Sequence, residues 1–122
     1  MNLIGSPMKQ ISFYFKGKNI KLQARECSFL RKGFGLIFRK SNTDNLIFTF
    51  KEDSTIALTS LFVFFPFLAV WLDSKDKVID YKLINPFCPT IKIDKKFRKI
   101  IEIPLNIDNL KIISFFVGKG KV

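Results

Sequence analysis

Three charged side chains stand where charge is expensive. Arg39 follows the apolar Leu36-Ile37-Phe38, Glu102 sits among Ile100, Ile101 and Ile103, and Asp73 closes the most apolar stretch of the chain. A charge within or beside an apolar strand is costly unless it is paired or reaches water. Arg39, Asp73 and Glu102 are therefore the candidate polar site, as ligand-binding or purely structural groups. The reading preferred for Arg39 and Glu102 is structural, either pointing outward or stapled as an ion pair. Catalytic sets are scarce around them. Histidine is absent, which removes Ser-His-Asp and Cys-His nucleophiles and most zinc sites. No GxxxxGK[ST] phosphate loop occurs, and Gly118-Lys119-Gly120 lacks both its spacing and its strand-to-helix context. The acidic pairs Glu52-Asp53 and Asp73 with Asp76 fall in predicted turns, where acids cap or solvate. No catalytic residue, metal site or cofactor is expected, and the balance leans away from an enzyme.

The elements that would position these groups are arranged around one stretch. Ser54 to Leu72 is a run of 19 residues without a charge, apolar at every position from Leu61 onward except for Pro66 if proline is set apart. As a helix it would reach about 28 Å, close to the hydrocarbon thickness of a bilayer. Three features oppose a membrane span: Pro66 near its middle, the opening Ser54, Thr55, Thr59 and Ser60, and flanks with no clear positive-inside bias. Seven of the twelve residues from Leu61 to Leu72 are Phe, Val or Trp, which favour strands. The run is read as two buried strands broken at Pro66, needing cover on both faces.

Alternation elsewhere supplies that cover. Ile11, Phe13 and Phe15, then Ile20, Leu22 and Ala24, flank Gly17-Lys18-Asn19 and predict a hairpin with Lys16, Lys18, Lys21 and Arg25 on its outward face. Residues 26–33 suit a short helix stopped by Gly33. Strands are predicted around Leu46-Phe50, around Ile79-Tyr81-Leu83 on one face, at Ile91-Ile93, from Ile101 through Ile107, and from Lys111 to Val117. Lys51-Ser54 and Ser74-Lys77 read as turns, and Asn85-Pro86-Phe87-Cys88-Pro89 as a loop. The total is eight or nine strands in one domain over residues 1–122, all-β, a sandwich or barrel with one short helix.

Charge and cysteine content bound the setting. The net charge is +11, distributed as +8 over residues 1–40, −3 over 41–80 and +6 over 81–122. Such a field draws anionic surfaces, nucleic acid or membrane, although solvation of a very apolar small domain is the preferred explanation. Cys27 and Cys88 have no metal-ligand spacing and read as reduced thiols. With no basic start or long apolar stretch at the N-terminus, a cytoplasmic location is expected.

The order of motifs resembles the domain of unknown function 192 family. The residues that carry it are Gly35-Leu36-Ile37-Phe38-Arg39, Leu46-Ile47-Phe48-Thr49-Phe50, Phe65-Pro66-Phe67 through Asp73, and Glu102-Ile103-Pro104, within about residues 20–122. The resemblance implies a small prokaryotic β-sandwich or barrel of jelly-roll type without an assigned activity. Leu68 stands where the family carries Asp, Leu61-Phe62-Val63 where it has polar residues, and Asn106 where it has Gly. A binding or structural role is favoured over catalysis on those departures.

Three functions follow. The leading one is a non-enzymatic β module, self-associating through its apolar centre to form a homo-oligomer. The second binds nucleic acid through Lys16, Lys18, Lys21, Arg25, Lys95, Lys96, Arg98 and Lys99, although alternation that buries Phe15 and Phe97 argues against it. The third is a small-molecule-binding protein or enzyme with a pocket at one end of the barrel.

Overall fold

The computed structural model describes residues 8–27, 43–60 and 63–118. Six strands form one sheet: β1 (Met8–Phe15), β2 (Lys18–Cys27), β3 (Leu46–Ser54), β4 (Phe67–Leu72), β5 (Val78–Ile84) and β6 (Phe97–Pro104). Their order is β1-β2-β3-β6-β4-β5, antiparallel throughout except between β2 and β3. A 3₁₀ turn (Ile107–Asn109) leads into the one α-helix among the described residues, α1 (Leu110–Val117).

One row of residues crosses all six strands at the same height: Met8, Arg25, Leu46, Glu102, Ala69 and Lys82. Tyr14, further down β1, bridges Lys77, which precedes β5, and its N–H donates to the Asp76 carbonyl at 2.8 Å. The sheet has curled until its two edges meet at one end. That displaced register is what strand tilt imposes on a closing sheet. The result is a half-barrel, mainly β as expected, built from one curled sheet rather than the two packed sheets of a jelly-roll sandwich.

Alternation explains the two sides. Ile11, Phe13, Phe15, Ala24, Ile47, Leu68, Val70, Leu72, Ile101 and Ile103 share one side, where Phe15 of β1 meets Tyr81 of β5 edge to face, with ring centroids 5.3 Å apart. First and last strands touch there, so this is the concave side; Ile113 and Phe116 of α1 fill it. The opposite, convex side carries Leu46, Phe48, Phe67, Ala69, Trp71 and Ile100, covered by Leu58, Val63, Phe65, Ile91 and Ile93 from the loops before β4 and β6. All six residues of β4 are buried, because each side has its own cover.

The hairpin forms as predicted, with Lys16 (φ 52°) and Gly17 (φ 76°) as the two turn residues. Positive φ at both is the type I′ geometry whose twist suits adjacent strands; Lys18 and Asn19 already belong to β2. Glu26 and Cys27 continue β2 instead of starting a helix; residues 28–33, and the motif through Arg39, lie outside the described residues. β3 runs on through the predicted turn to Ser54, with a bulge between Thr49 and Ser54. β6 begins at Phe97, inside the basic cluster, and ends at Pro104, before Ile107.

Three larger differences leave six strands among the described residues: the run ahead of Pro66, Ile91-Ile93 and the segment 111–117 are not strands. Between β3 and Pro66, the described residues of the apolar run make only a bridge, from Leu58 to Ile91, and serve as a lid together with Ile91 and Ile93. A lid residue is held by side-chain packing and needs no ladder partner, so composition alone does not separate it from a strand. The segment 111–117 is helix, not strand, for a capping reason. The Asn106 side chain accepts from the Asn109 N–H, which starts the turn, and Ile113 and Phe116 are then buried at helical spacing. Of the three residues assigned to one face of β5, Ile79 packs on the convex core and Tyr81 and Leu83 on the concave one. The register shift between Trp71 and Leu72 accounts for the swap.

Candidate functional site

Glu102 points into the convex core from β6, directly between Leu46 and Ala69. It is 4% exposed, and its Oε1 has no hydrogen-bond partner among the described residues. Desolvation raises its pKa from 4.5 to about 8, so the side chain is a neutral acid at pH 7. Arg25 and Lys82 are the cations in the same row, each two strands away, about 10 Å. Arg25 instead binds Asp44 through Nη2 at 2.8 Å, and Lys82 Nζ donates to the Lys92 carbonyl at 2.9 Å. Glu102 thus neither faces water nor forms an ion pair with a described residue.

Asp73 has a different task. It lies just past the end of β4, and its Oδ1 accepts from the N–H groups of Lys75 (2.8 Å) and Lys77 (3.0 Å). This fixes the turn between β4 and β5, as an aspartate commonly does. Asp73 is four positions along the chain from Ala69, the neighbour of Glu102, a separation of about 13 Å in an extended strand. The two acids do not converge. Arg39 is outside the described residues.

The eight cations put forward for nucleic acid are distributed rather than pooled. Arg25 pairs with Asp44, Arg98 with Asp53 (3.2 Å) and Lys99 with Asp76 (2.7 Å). Lys95 Nζ donates to the Ile79 carbonyl at 3.1 Å. Lys16, Lys18, Lys21 and Lys96 are exposed. Lys16 Nζ stands 5.1 Å from the centre of the Phe15 ring, and Lys18 Nζ 5.6 Å from that of Phe115. Phe15 and Phe97 are buried, as alternation predicts, so neither is available to stack on a base.

The arrangement missed by sequence reading lies on α1. Asn109, buried at its start, donates through Nδ2 to Asn45 Oδ1 (2.9 Å) and to the Pro104 carbonyl (2.8 Å). Asn45 Nδ2 in turn donates to the Gln23 carbonyl at 3.0 Å. This polar chain ties the helix start to β2 and β6. With Ile113 and Phe116 turned inward, the outward side presents Leu110, Lys111 and Phe115, and Ile107 projects from the turn before it, 84% exposed. A groove of about 780 Å³ runs between this side and β2, lined in part by Lys21, Leu22, Leu110, Lys111 and Phe115. The sequence signal was Asn106 followed by apolar residues at helical spacing, which an expectation of alternation conceals.

An exposed aromatic pair lies beside the convex lid. Phe64 and Phe87 are 59% and 58% exposed and meet edge to face at 5.6 Å, with Phe87 in a left-handed conformation (φ 66°). Near the end of β3, a groove of about 580 Å³ is lined by Glu26, Glu52 and Asp53 among others. Two of these acids are engaged, Glu26 with Lys9 and Asp53 with Arg98. Among the described residues no three His, Cys, Asp or Glu side chains approach closely enough to hold a metal ion, and no helix is long and apolar enough to cross a membrane.

No family model and no curated protein matches the chain. Solved structures do. The chain is similar to a protein of unknown function from Novosphingobium aromaticivorans DSM 12444, with a TM-score of 0.76 at 10% identity, covering 98% of this chain and 84% of that one. It is also similar to a candidate transcription regulator from Sinorhizobium meliloti 1021, with a TM-score of 0.73 at 14% identity, covering 91% and 89%. At such identities the likeness shows a shared fold and nothing about activity.

Proposed function

We propose that this protein is a non-enzymatic binding module that takes an anionic partner on the outer side of α1. One observation carries the reading: exposed Leu110 and Phe115 share a groove with Lys21 and Lys111, Lys18 stands over the Phe115 ring and Ile107 is exposed in the turn before, while the concave side of the sheet is filled by its own aromatic rings. An apolar patch rimmed by cations is a docking surface for something both anionic and partly apolar. The net charge of +11 acts in the same direction by drawing anions from a distance. Reduced Cys27 and Cys88 suit a cytoplasmic module, and the resemblance to the domain of unknown function 192 family suits a prokaryotic one.

Binding of anionic vesicles and of a single-stranded oligonucleotide, each measured at low and high salt, tests the reading. Affinity for at least one should fall steeply as salt rises and should be lost in the triple variant Lys18→Glu, Lys21→Glu, Lys111→Glu. If neither polyanion binds at low salt, the reading is wrong. Nucleic-acid recognition through the hairpin and Lys95–Lys99 is the weaker version, because Arg25, Arg98 and Lys99 already have acidic partners. Self-association is also less favoured than an anionic partner, since two copies would bring like charge together.

A further inference from the structure

We infer that the outward side of α1 is a membrane-interface contact, seating on the surface of an anionic bilayer. The inference rests on the anionic-partner reading above and names the partner. The reason is the shape of the apolar surface. Leu110 and Phe115 line the groove beside β2, but Ile107 does not; it projects from the preceding turn with 84% of its surface in water. A protein segment lying in the groove would leave Ile107 uncovered. The boundary between headgroups and acyl chains yields around a projecting side chain, and so receives Ile107, Leu110 and Phe115 together.

The charges fit the same surface. Lys111 lies on α1 itself, Lys21 lines the facing wall on β2, and Lys18 stands over the Phe115 ring at 5.6 Å. Two lysines thus share the groove with Leu110 and Phe115 and a third stands over the Phe115 ring, the mixture of cations and apolar groups that an amphipathic helix presents to an anionic interface. Asp108 is the acid on this rim. It sits in the first turn, where the helix dipole favours a negative charge, and the cations outnumber it. α1 is short, and its inward residues Ile113 and Phe116 remain in the core. The helix is therefore presented by the half-barrel already folded, and binding would not require it to form.

Co-sedimentation of the full chain with vesicles of phosphatidylcholine alone, and of phosphatidylcholine with phosphatidylglycerol, is the test. Binding should appear only with phosphatidylglycerol and weaken with salt. Ile107→Asp should lower the partition coefficient about tenfold or more, and Lys111→Glu about fivefold or more. Both positions are exposed, and unchanged circular dichroism would show that the variants are folded. Vesicle binding that Ile107→Asp leaves unaltered would overturn the inference, because contact would then be purely electrostatic. Oligonucleotide binding without vesicle binding would overturn it too, while leaving the anionic-partner reading intact. Binding to neither would remove both. A concentration-dependent dimer in sedimentation velocity, abolished by Ile107→Asp and unaffected by lipid, would assign the surface to a second copy instead.

Discussion

The two sides of the sheet are both apolar and are closed by different means. The concave side is closed by one helix, whose start is tied to the strands by the Asn109–Asn45 hydrogen bonds and whose Phe116 stacks on Phe15 at 4.3 Å. The convex side is closed by loops, held by Ser60 hydrogen bonds to the 85–88 segment and by the bridge from Leu58 to Ile91. Polar groups differ accordingly. On the helix side the buried amides satisfy one another; on the loop side Glu102 is buried with an oxygen that no described residue satisfies. A fully paired polar network specifies one arrangement, whereas an unpaired acid lowers stability in a manner that depends on pH.

Truncating the largest ring on each side should have the greatest effect. Trp71→Ala on the convex side and Phe13→Ala on the concave side should each cost about 3–5 kcal/mol by urea denaturation, both side chains being fully buried. The comparison predicts different symptoms. Phe13→Ala removes a ring that packs near Phe116, with centroids 6.3 Å apart, and should lower helical circular dichroism and amide protection in α1. Trp71→Ala should spare α1 and loosen the loops around Leu58 and Ile91. Identical protection patterns in the two variants would mean that the covers are not separate units.

Glu102 gives the next largest effect, and its sign follows from linkage. Its folded pKa of about 8 lies above the ordinary value of 4.5, so folding favours the protonated form. Below pH 4.5 both states hold the proton and nothing is lost. Between about pH 4.5 and 8 the unfolded chain releases its proton while the folded one keeps it, and stability falls by about 1.4 kcal/mol per pH unit. Above that window the penalty is constant. Glu102→Leu should abolish this slope and be more stable than the parent at pH 8. An unchanged slope would show that the carboxylate is satisfied in the folded protein.

Asn109→Ala tests the tie on the other side. It leaves Asn45 Oδ1 and the Pro104 carbonyl without the amide donor and should cost about 1–3 kcal/mol. It should also lower protection in α1 more than in β4. The loss should be independent of pH, in contrast to Glu102.

The parts of this fold that were legible in the sequence are those where backbone pairing and burial repeat together. β1 and β2 as far as Ala24 alternate, because one face is buried and the other wet; Leu46, Phe48 and Phe50 keep the period on the convex side, with Ile47 between them buried on the concave one. Legibility fails where both faces are buried or where burial does not imply pairing. β4 gave no alternation, which correctly signalled two covers, but the apolar residues ahead of Pro66 carry the same composition and form a lid. Residues 110–117 mix three adjacent apolar pairs, and only the Asn106 cap distinguishes helix from strand. For the site, Glu102 was conspicuous as an acid among isoleucines, yet nothing local said that it would point inward. Asp73 is a candidate polar group in a predicted turn, where an acid caps or solvates, and its bonds to the Lys75 and Lys77 N–H groups give it the turn role. Ile107 and Phe115 fall in segments that read as strands, and that reading hides the surface they form.

The smallest expected effect concerns Phe87, in the convex cover. Its left-handed backbone is unfavourable for a bulky residue by about 1–2 kcal/mol. Against that stand the Phe87 N–H bond to the Ser60 carbonyl at 2.7 Å, which any non-proline residue retains, and the edge-to-face contact with Phe64, worth about 0.5–1.5 kcal/mol. Asn tolerates the conformation and removes the ring, so the two terms oppose each other, and Phe87→Asn should change stability by no more than about 0.5–1 kcal/mol in either direction. If thermal denaturation instead shows a loss above about 2 kcal/mol, the exposed rings clamp the loops together. The convex cover would then have a side-chain lock of its own, comparable in kind to the asparagine tie beneath α1.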